Sequence, residues 1–358
     1  MRSDWGTSAV WGSFRATGYV DYDYAGEQDF DAGALAIVRG GTPFLVNKNF
    51  LAMTWPGTVN DESASYDEIW GSGTPRRIYN TFYNGTAGGQ VGPPVDESPV
   101  PTTRISRYED RNGCVLVRGS GLQDAYRGTS GVTSWTRDVV YLRPSLFVTF
   151  DRTVVTSTTG DQHMNWHFVP TPASVTAPSS GARRYDVTSA SAGFVGAMTT
   201  LLPASAAVST VNVFNFNKLY RLEVRPPTPA TTSQWLTVFD ASASAGAVAL
   251  ASRLTAADGN ASANVTGALL RGTSNYAALF GSGPATATIS GTVTFTVPAA
   301  PTLVVVTDLA PSAGYSATAS AAGGNLTVTV QPGSGFTTSA NGALYVNVSS
   351  SGTVTAGN

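Results

Sequence analysis

A chain of 358 residues can bury one large core or two moderate ones, and its 42% apolar content argues against wholesale disorder. Charged residues are only 12%, lysine occurs only at Lys48 and Lys218, and the formal net charge is −2, so the clustered basic footprint of a nucleic-acid binder is missing. No apolar run is long enough for a membrane-crossing helix, and the single cysteine, Cys114, has no partner for an internal disulfide.

Strand signals dominate in chain order, and long patterns of helical period are absent. Aromatic residues crowd the start, with Trp5, Trp11 and Phe14 among them. Asp21, Asp23, Asp29 and Asp31 follow at alternating spacing, which on a strand puts carboxylates on one face. Asp29 and Asp31 are thereby a weak calcium candidate, and a solvated acidic edge that discourages strand pairing is the simpler reading. Residues 34–38 form an apolar strand after Gly33, and residues 61–70 have room for a turn or two of helix. Residues 85–103, broken by Pro93, Pro94, Pro99 and Pro101, predict a long loop. Cys114 opens an apolar run, where a buried inert thiol is expected.

Residues 139–142 and 146–150 flank Arg143-Pro144-Ser145, and their apolar density predicts a hairpin buried on both faces. The only histidines, His163 and His167, lie four apart around Trp166, a strand spacing too wide for one metal ion. Structural roles are expected for both, with His167 in the sandwich core. Residues 170–181 read as a second loop, and residues 220–225 alternate as a half-buried strand. Further strands are expected at 303–306 and 326–330. A compositional shift at 241–247, after which charge almost vanishes, divides the chain into domains 1–240 and 241–358. Recurrent Gly and Pro turns between short strands predict an all-β protein: a large antiparallel β-sandwich followed by a smaller C-terminal β layer.

The segment Glu27-Gln28-Asp29-Phe30-Asp31-Ala32-Gly33, the opening Arg2-Ser3-Asp4-Trp5 and the later Tyr79-Asn80-Thr81 resemble the start of the β-sandwich region of heparinase II/III-like polysaccharide lyases. There the first segment reads roughly His-x-His-x-Asp-x-Gly-x-Phe, and the later one His-Asn-Thr. The likeness runs collinearly through Arg137 to Arg152, the Trp166-His167 strand, Arg221 to Pro227, and Asp308-Leu309-Ala310-Pro311 with Tyr315. It implies a lyase-type supersandwich, an extracellular or cell-surface setting, and an N-terminal α/α toroid carrying a catalytic Tyr and Asn. Met1 is followed by no apolar leader, so the numbering is expected to begin inside a longer precursor.

In that family uronate polysaccharides are cleaved by β-elimination, which needs a base at C5 and a group that neutralises the carboxylate. Carried over position by position, Glu27 replaces the catalytic histidine, while Asp29 and Tyr79 replace two zinc-binding histidines. Glu27 would repel a uronate, and Tyr79 would serve as a base only with its phenol pKa strongly lowered. One carboxylate with one phenol is a poor tetrahedral donor set for zinc, so no cofactor is expected. Tyr79 and Glu27 are nevertheless the catalytic candidates. Arg76, Arg77, Asn80, Trp55 and Trp70 are the substrate-binding candidates, since arginines pair carboxylates and indoles stack on sugar rings. The expected function is that of a non-catalytic glycan-binding or structural domain, with polysaccharide as the partner. The alternatives are an active lyase completed by a toroid outside this chain, and a self-associating surface-layer or filament subunit.

Overall fold

The computed structural model describes residues 1–16, 32–46, 80–85, 103–111, 113–126, 131–169, 171–177, 179–189, 194–214, 219–244 and 247–357. Among these residues strand predominates and helix is limited to short 3-10 turns, and they fall into two compact units. The first comprises 1–106 with 117–246, and the second 107–116 with 247–358.

The first unit is a sandwich of two sheets. One sheet orders β1 (Val10–Phe14), β2 (Leu35–Arg39), β3 (Thr42–Leu45), β9 (Gln162–Phe168), β14 (Leu219–Arg225) and β13 (Ala207–Phe214), with β4 (Phe82–Asn84) also pairing with β9. The other orders β10 (Ala173–Val175), β11 (Arg183–Ser189), β12 (Phe194–Leu202), β15 (Thr232–Ser242), β8 (Leu146–Val155), β7 (Val132–Leu142), β6 (Cys114–Ser120) and β5 (Arg104–Asp110), of which residues 107–116 are counted with the second unit. The expected hairpin is β7–β8, with Leu142 opposite Leu146 and both strands buried on both faces in their apolar halves. Residues 170–181 are not all loop: Ala173–Val175 pairs with Arg184, Tyr185 and Asp186 as an exposed edge strand, held by backbone pairing without an apolar signal.

The interlayer core is aromatic. Trp166 and Phe168 from the first sheet meet Phe239 of the second, with ring centroids 4.8 and 6.5 Å apart, and Phe82 meets Trp235 at 5.7 Å. Phe44 packs directly over Gly196, where an added Cβ would fall onto the ring. Gly196→Ala is therefore expected to overpack this contact and lower stability by about 1–3 kcal/mol, measured by denaturant unfolding.

The second unit stacks a sheet of β16 (Leu250–Leu254), β17 (Val265–Arg271), β18 (Asn275–Gly281), β20 (Thr302–Val306), β24 (Leu344–Val348) and β25 (Val354–Ala356) on a sheet of β19 (Val293–Pro298), β22 (Asn325–Pro332), β21 (Gly314–Ala322) and β23 (Phe336–Thr337). β18 and β20 run parallel among otherwise antiparallel neighbours. The expected strands at 303–306 and 326–330 lie in β20 and β22. Phe295, Val328 and Val346 belong to one buried cluster. The hairpin 107–116 belongs to this unit through Arg107, whose Nη1 donates to Asp308 at 2.6 Å, and through Asn341, which donates to the Tyr108 carbonyl at 2.9 Å.

Candidate functional site

Of the catalytic, substrate-binding and calcium candidates taken from the sequence, only Asn80 lies among the described residues. Glu27, Asp29 and Asp31 fall in 17–31, and Trp55, Trp70, Arg76, Arg77 and Tyr79 fall in 47–79, outside the described residues. Both stretches leave and rejoin the seven-stranded sheet, so its fixed points define where they attach. Residues 17–31 depart after β1 and return before β2. There Arg15 N–H donates to the Ala34 carbonyl at 3.0 Å, and Gly33 N–H donates to the Arg15 carbonyl at 2.7 Å. Residues 47–79 depart at Val46 and return at Asn80.

Asn80 ties these points together. Its buried amide nitrogen donates to the carbonyls of Leu35 at 2.7 Å and Val46 at 2.8 Å. Two pure acceptors fix the amide orientation, so Oδ1 must accept. It does so from the His167 backbone N–H at 2.7 Å, and it lies 3.0 Å from His167 Nδ1, which therefore carries the proton. Asn80 thus braces these segments: its side chain is engaged within the protein and closed to solvent.

Beneath this node lies Arg137, wholly buried in the interlayer. Its Nη1 donates to the carbonyls of Gly33 at 2.6 Å and Asn80 at 2.7 Å, and its Nε donates to Asp151 at 2.7 Å. Asp151 also accepts from Trp135 Nε1 at 2.8 Å, and the guanidinium lies 4.6 Å from the Trp166 ring centroid. A cation without a partner would be prohibitive here; this one is paired and held between aromatic faces. One carbonyl it holds ends the 17–31 stretch and the other ends the 47–79 stretch.

The alternation of β9 sends Trp166 into the aromatic core and His163, Asn165 and His167 to the opposite face of the sheet. His167 is thus buried but not in the sandwich core, contrary to the expectation for it. The same alternation on β14 puts Arg221, Glu223 and Arg225 beside them and Leu222 and Val224 inward. The expected half-buried strand is in fact closed on both faces along Arg221 to Val224.

This polar face is a bonded network. Arg225 donates to both oxygens of Asp161 at 2.7 and 2.8 Å and to Glu223 at 2.6 Å. Arg221 donates twice to Glu223, at 2.9 and 2.7 Å. His163 stacks on Tyr83, with centroids 4.5 Å apart and planes 19° apart. Its Nδ1 lies 3.1 Å from Asp161, and its Nε2 lies 4.0 Å from Glu223. Burial holds His163 below the usual imidazole range, against the pull of Asp161 and Glu223. Among the described residues, no group of three or more His, Cys, Asp or Glu side chains is placed to hold a metal ion.

Burial alone would raise the Glu223 carboxyl. Arg221, the charge of His163 and Arg225 overrule it and hold the group at about 2, against an ordinary 4.5. Asp161 is lowered in the same direction, first by His163 and then by Arg225, against its own desolvation. With folded values below unfolded ones, the unfolded chain binds more protons in acid. The stabilisation is complete above about pH 4.5 and is lost as pH falls toward 2. The melting temperature is expected to drop across that window, and less steeply in Glu223→Gln than in wild type. Parallel profiles for the two proteins would contradict the assignment.

Sequence reasoning missed Arg137, Asp151 and the Asp161–Arg225–Glu223–Arg221 network. Their signal was the period-two pattern itself, which pairs residues on a face without showing that the face is covered.

No family model matches the sequence, and no curated protein matches it. Among solved structures, the chain is similar to heparan sulfate lyase HepC from Pedobacter heparinus, with a TM-score of 0.50, 14% identity, and coverage of 75% of this chain and 39% of that one. It is similar to a heparinase III, the BT4657 gene product, with a TM-score of 0.52, 10% identity, and coverage of 78% and 40%. A further heparinase III crystal structure gives a TM-score of 0.50, 12% identity, and coverage of 77% and 40%. The chain spans about two fifths of the length of the structures it matches. At these identities the likeness concerns the fold alone, and that fold is a heparinase-like β fold.

Proposed function

We propose that this chain is the β region of an extracellular, polysaccharide-lyase-like protein that binds acidic glycan and does not itself carry out β-elimination. The observation that carries the reading is the state of the two histidines. Both are buried with no solvent-accessible surface, His167 locked to Asn80 and His163 stacked under Tyr83. Neither is open to a C5 proton of a polymer. At the positions where the resemblance calls for histidine, the chain carries Glu27, Asp29 and Tyr79. Those side chains do not fit a zinc ion, and no step is assigned to one. Fold likeness to proteins named as heparan sulfate lyase and heparinase III supports a uronate-bearing or sulfated glycan as the partner.

Two experiments test this. Calorimetric titration with acidic oligosaccharides should give saturable binding; absence of binding across a panel would overturn the reading. Elemental analysis of the purified chain should show no stoichiometric zinc, and one zinc per chain would contradict the loss of the metal site.

A second reading is favoured by the span of about two fifths of the matched lyase structures. In it, a toroid outside this chain completes an active lyase in which Tyr79 or Glu27 takes the histidine's part. Product formation that is lost in Tyr79→Phe would establish it.

A further inference from the structure

We propose that Trp5, Trp11 and Arg2, at the β1 edge of the seven-stranded sheet, form a binding corner for a pyranose ring that bears a carboxylate or sulfate. The proposal rests on the glycan-binding reading and gives it a location. Trp5 is 82% exposed and Trp11 47% exposed, although an indole carries one of the largest apolar surfaces available to a side chain. Their ring centroids are 6.2 Å apart with the planes at 83°, so one indole stands as a wall beside the other. The guanidinium of Arg2 lies over the Trp5 ring and 5.3 Å from the Trp11 centroid.

The corner is built rather than frayed. Arg2 bridges Trp11 across antiparallel backbone, Ser3 N–H donates to the Val10 carbonyl at 2.9 Å, and Gly12 N–H donates to the Met1 carbonyl at 2.8 Å. Val10 N–H donates to Ser3 Oγ at 2.9 Å, and Gly6 N–H donates to Asp4 Oδ1 at 2.6 Å, which closes the turn between the indoles. Alternation along β1 buries Val10 and sends Trp11 outward. These bonds fix the backbone that carries the two indoles.

The local charge favours an anion in a protein whose net charge is −2. Arg143 Nε lies 3.4 Å from the Arg2 carbonyl, and Arg39 acts on Asp4 together with Arg2. Among the described residues, the carboxylate beside these guanidinium groups is Asp4, which is occupied by Ser3 Oγ at 2.7 Å and by the Gly6 N–H. Asp240, next to the Ala241 carbonyl to which Arg39 donates, is buried and held by Ser145 and Ser242. Flat apolar faces beside guanidinium groups match the C–H face and the anionic substituent of an acidic sugar. Two side chains are too small an area for a stable protein–protein contact.

The test is calorimetric titration of the full chain with galacturonate, sulfated glucuronate-containing and neutral glucose tetrasaccharides. Trp5→Ala and Trp11→Ala should each weaken acidic binding about tenfold or more, at an unchanged unfolding midpoint. Trp11→Phe, which keeps a ring on the strand, should retain more affinity than Trp11→Ala. Arg2→Gln should weaken the acidic ligands while leaving the neutral one as in wild type. Wild-type affinity in both tryptophan variants would overturn the corner and leave the glycan-binding reading intact. No binding of any tetrasaccharide by the wild-type chain would overturn both.

Discussion

Arg137→Met should unfold at a far lower denaturant concentration than wild type, with a loss of about 3–5 kcal/mol, the usual cost of removing one partner of a buried ion pair. The substitution keeps much of the apolar stem but takes the counter-charge and a donor from the buried Asp151 carboxyl, which burial already pushes up, and leaves only Trp135 to donate to it. It also strips a donor from the carbonyls of Gly33 and Asn80, which lie at the ends of the two stretches carrying most of the candidate residues. Asp151→Asn should also be strongly destabilising: the Trp135 bond can persist, but the Arg137 cation is left buried without a counter-charge. A double variant, Arg137→Met with Asp151→Leu, should recover part of the loss, since the groups act as a pair. Unfolding of Arg137→Met within 1 kcal/mol of wild type, measured by urea titration, would show that this network carries little stability.

Asn80→Ala is expected to be the second most damaging single change, at about 3 kcal/mol. It leaves the Leu35 and Val46 carbonyls and the His167 N–H without the partner they share, and each buried orphan costs roughly 1–3 kcal/mol before relaxation. Asn80→Asp is instructive because the size is unchanged. A carboxylate would still accept from His167 but would face two carbonyl oxygens, so this variant should be no more stable than the alanine at neutral pH. Hydrogen exchange should localise the damage to β2, β3 and β9. Wild-type protection in those strands would mean that Asn80 does not tie them together.

How much of this was legible in the sequence depends on the distance over which each feature is encoded. The β7–β8 hairpin was readable because both strands are apolar on both faces and the turn Arg143-Pro144-Ser145 sits between them. The Arg221, Leu222, Glu223, Val224, Arg225 alternation gave the strand but not its surroundings. Period two says which residues share a face, and only the fold shows that the charged face is closed over His163 and Asn165. The hairpin 107–116 was unreadable as part of the second unit because Arg107 meets Asp308, and Tyr108 meets Asn341, about two hundred positions away. Asn80 was singled out through its motif, yet the motif does not say which way its amide points. Trp5 and Trp11 were visible as aromatics, but their exposure and perpendicular pairing needed coordinates.

The most direct test of the central claim is to follow the ultraviolet absorbance of unsaturated uronate while the chain, within its intact gene product, is incubated with a panel of acidic polysaccharides that it binds. The account predicts saturable binding with a flat absorbance trace. A rising trace that is abolished by Tyr79→Phe would contradict it and establish a working lyase with tyrosine in the place of the lost histidine.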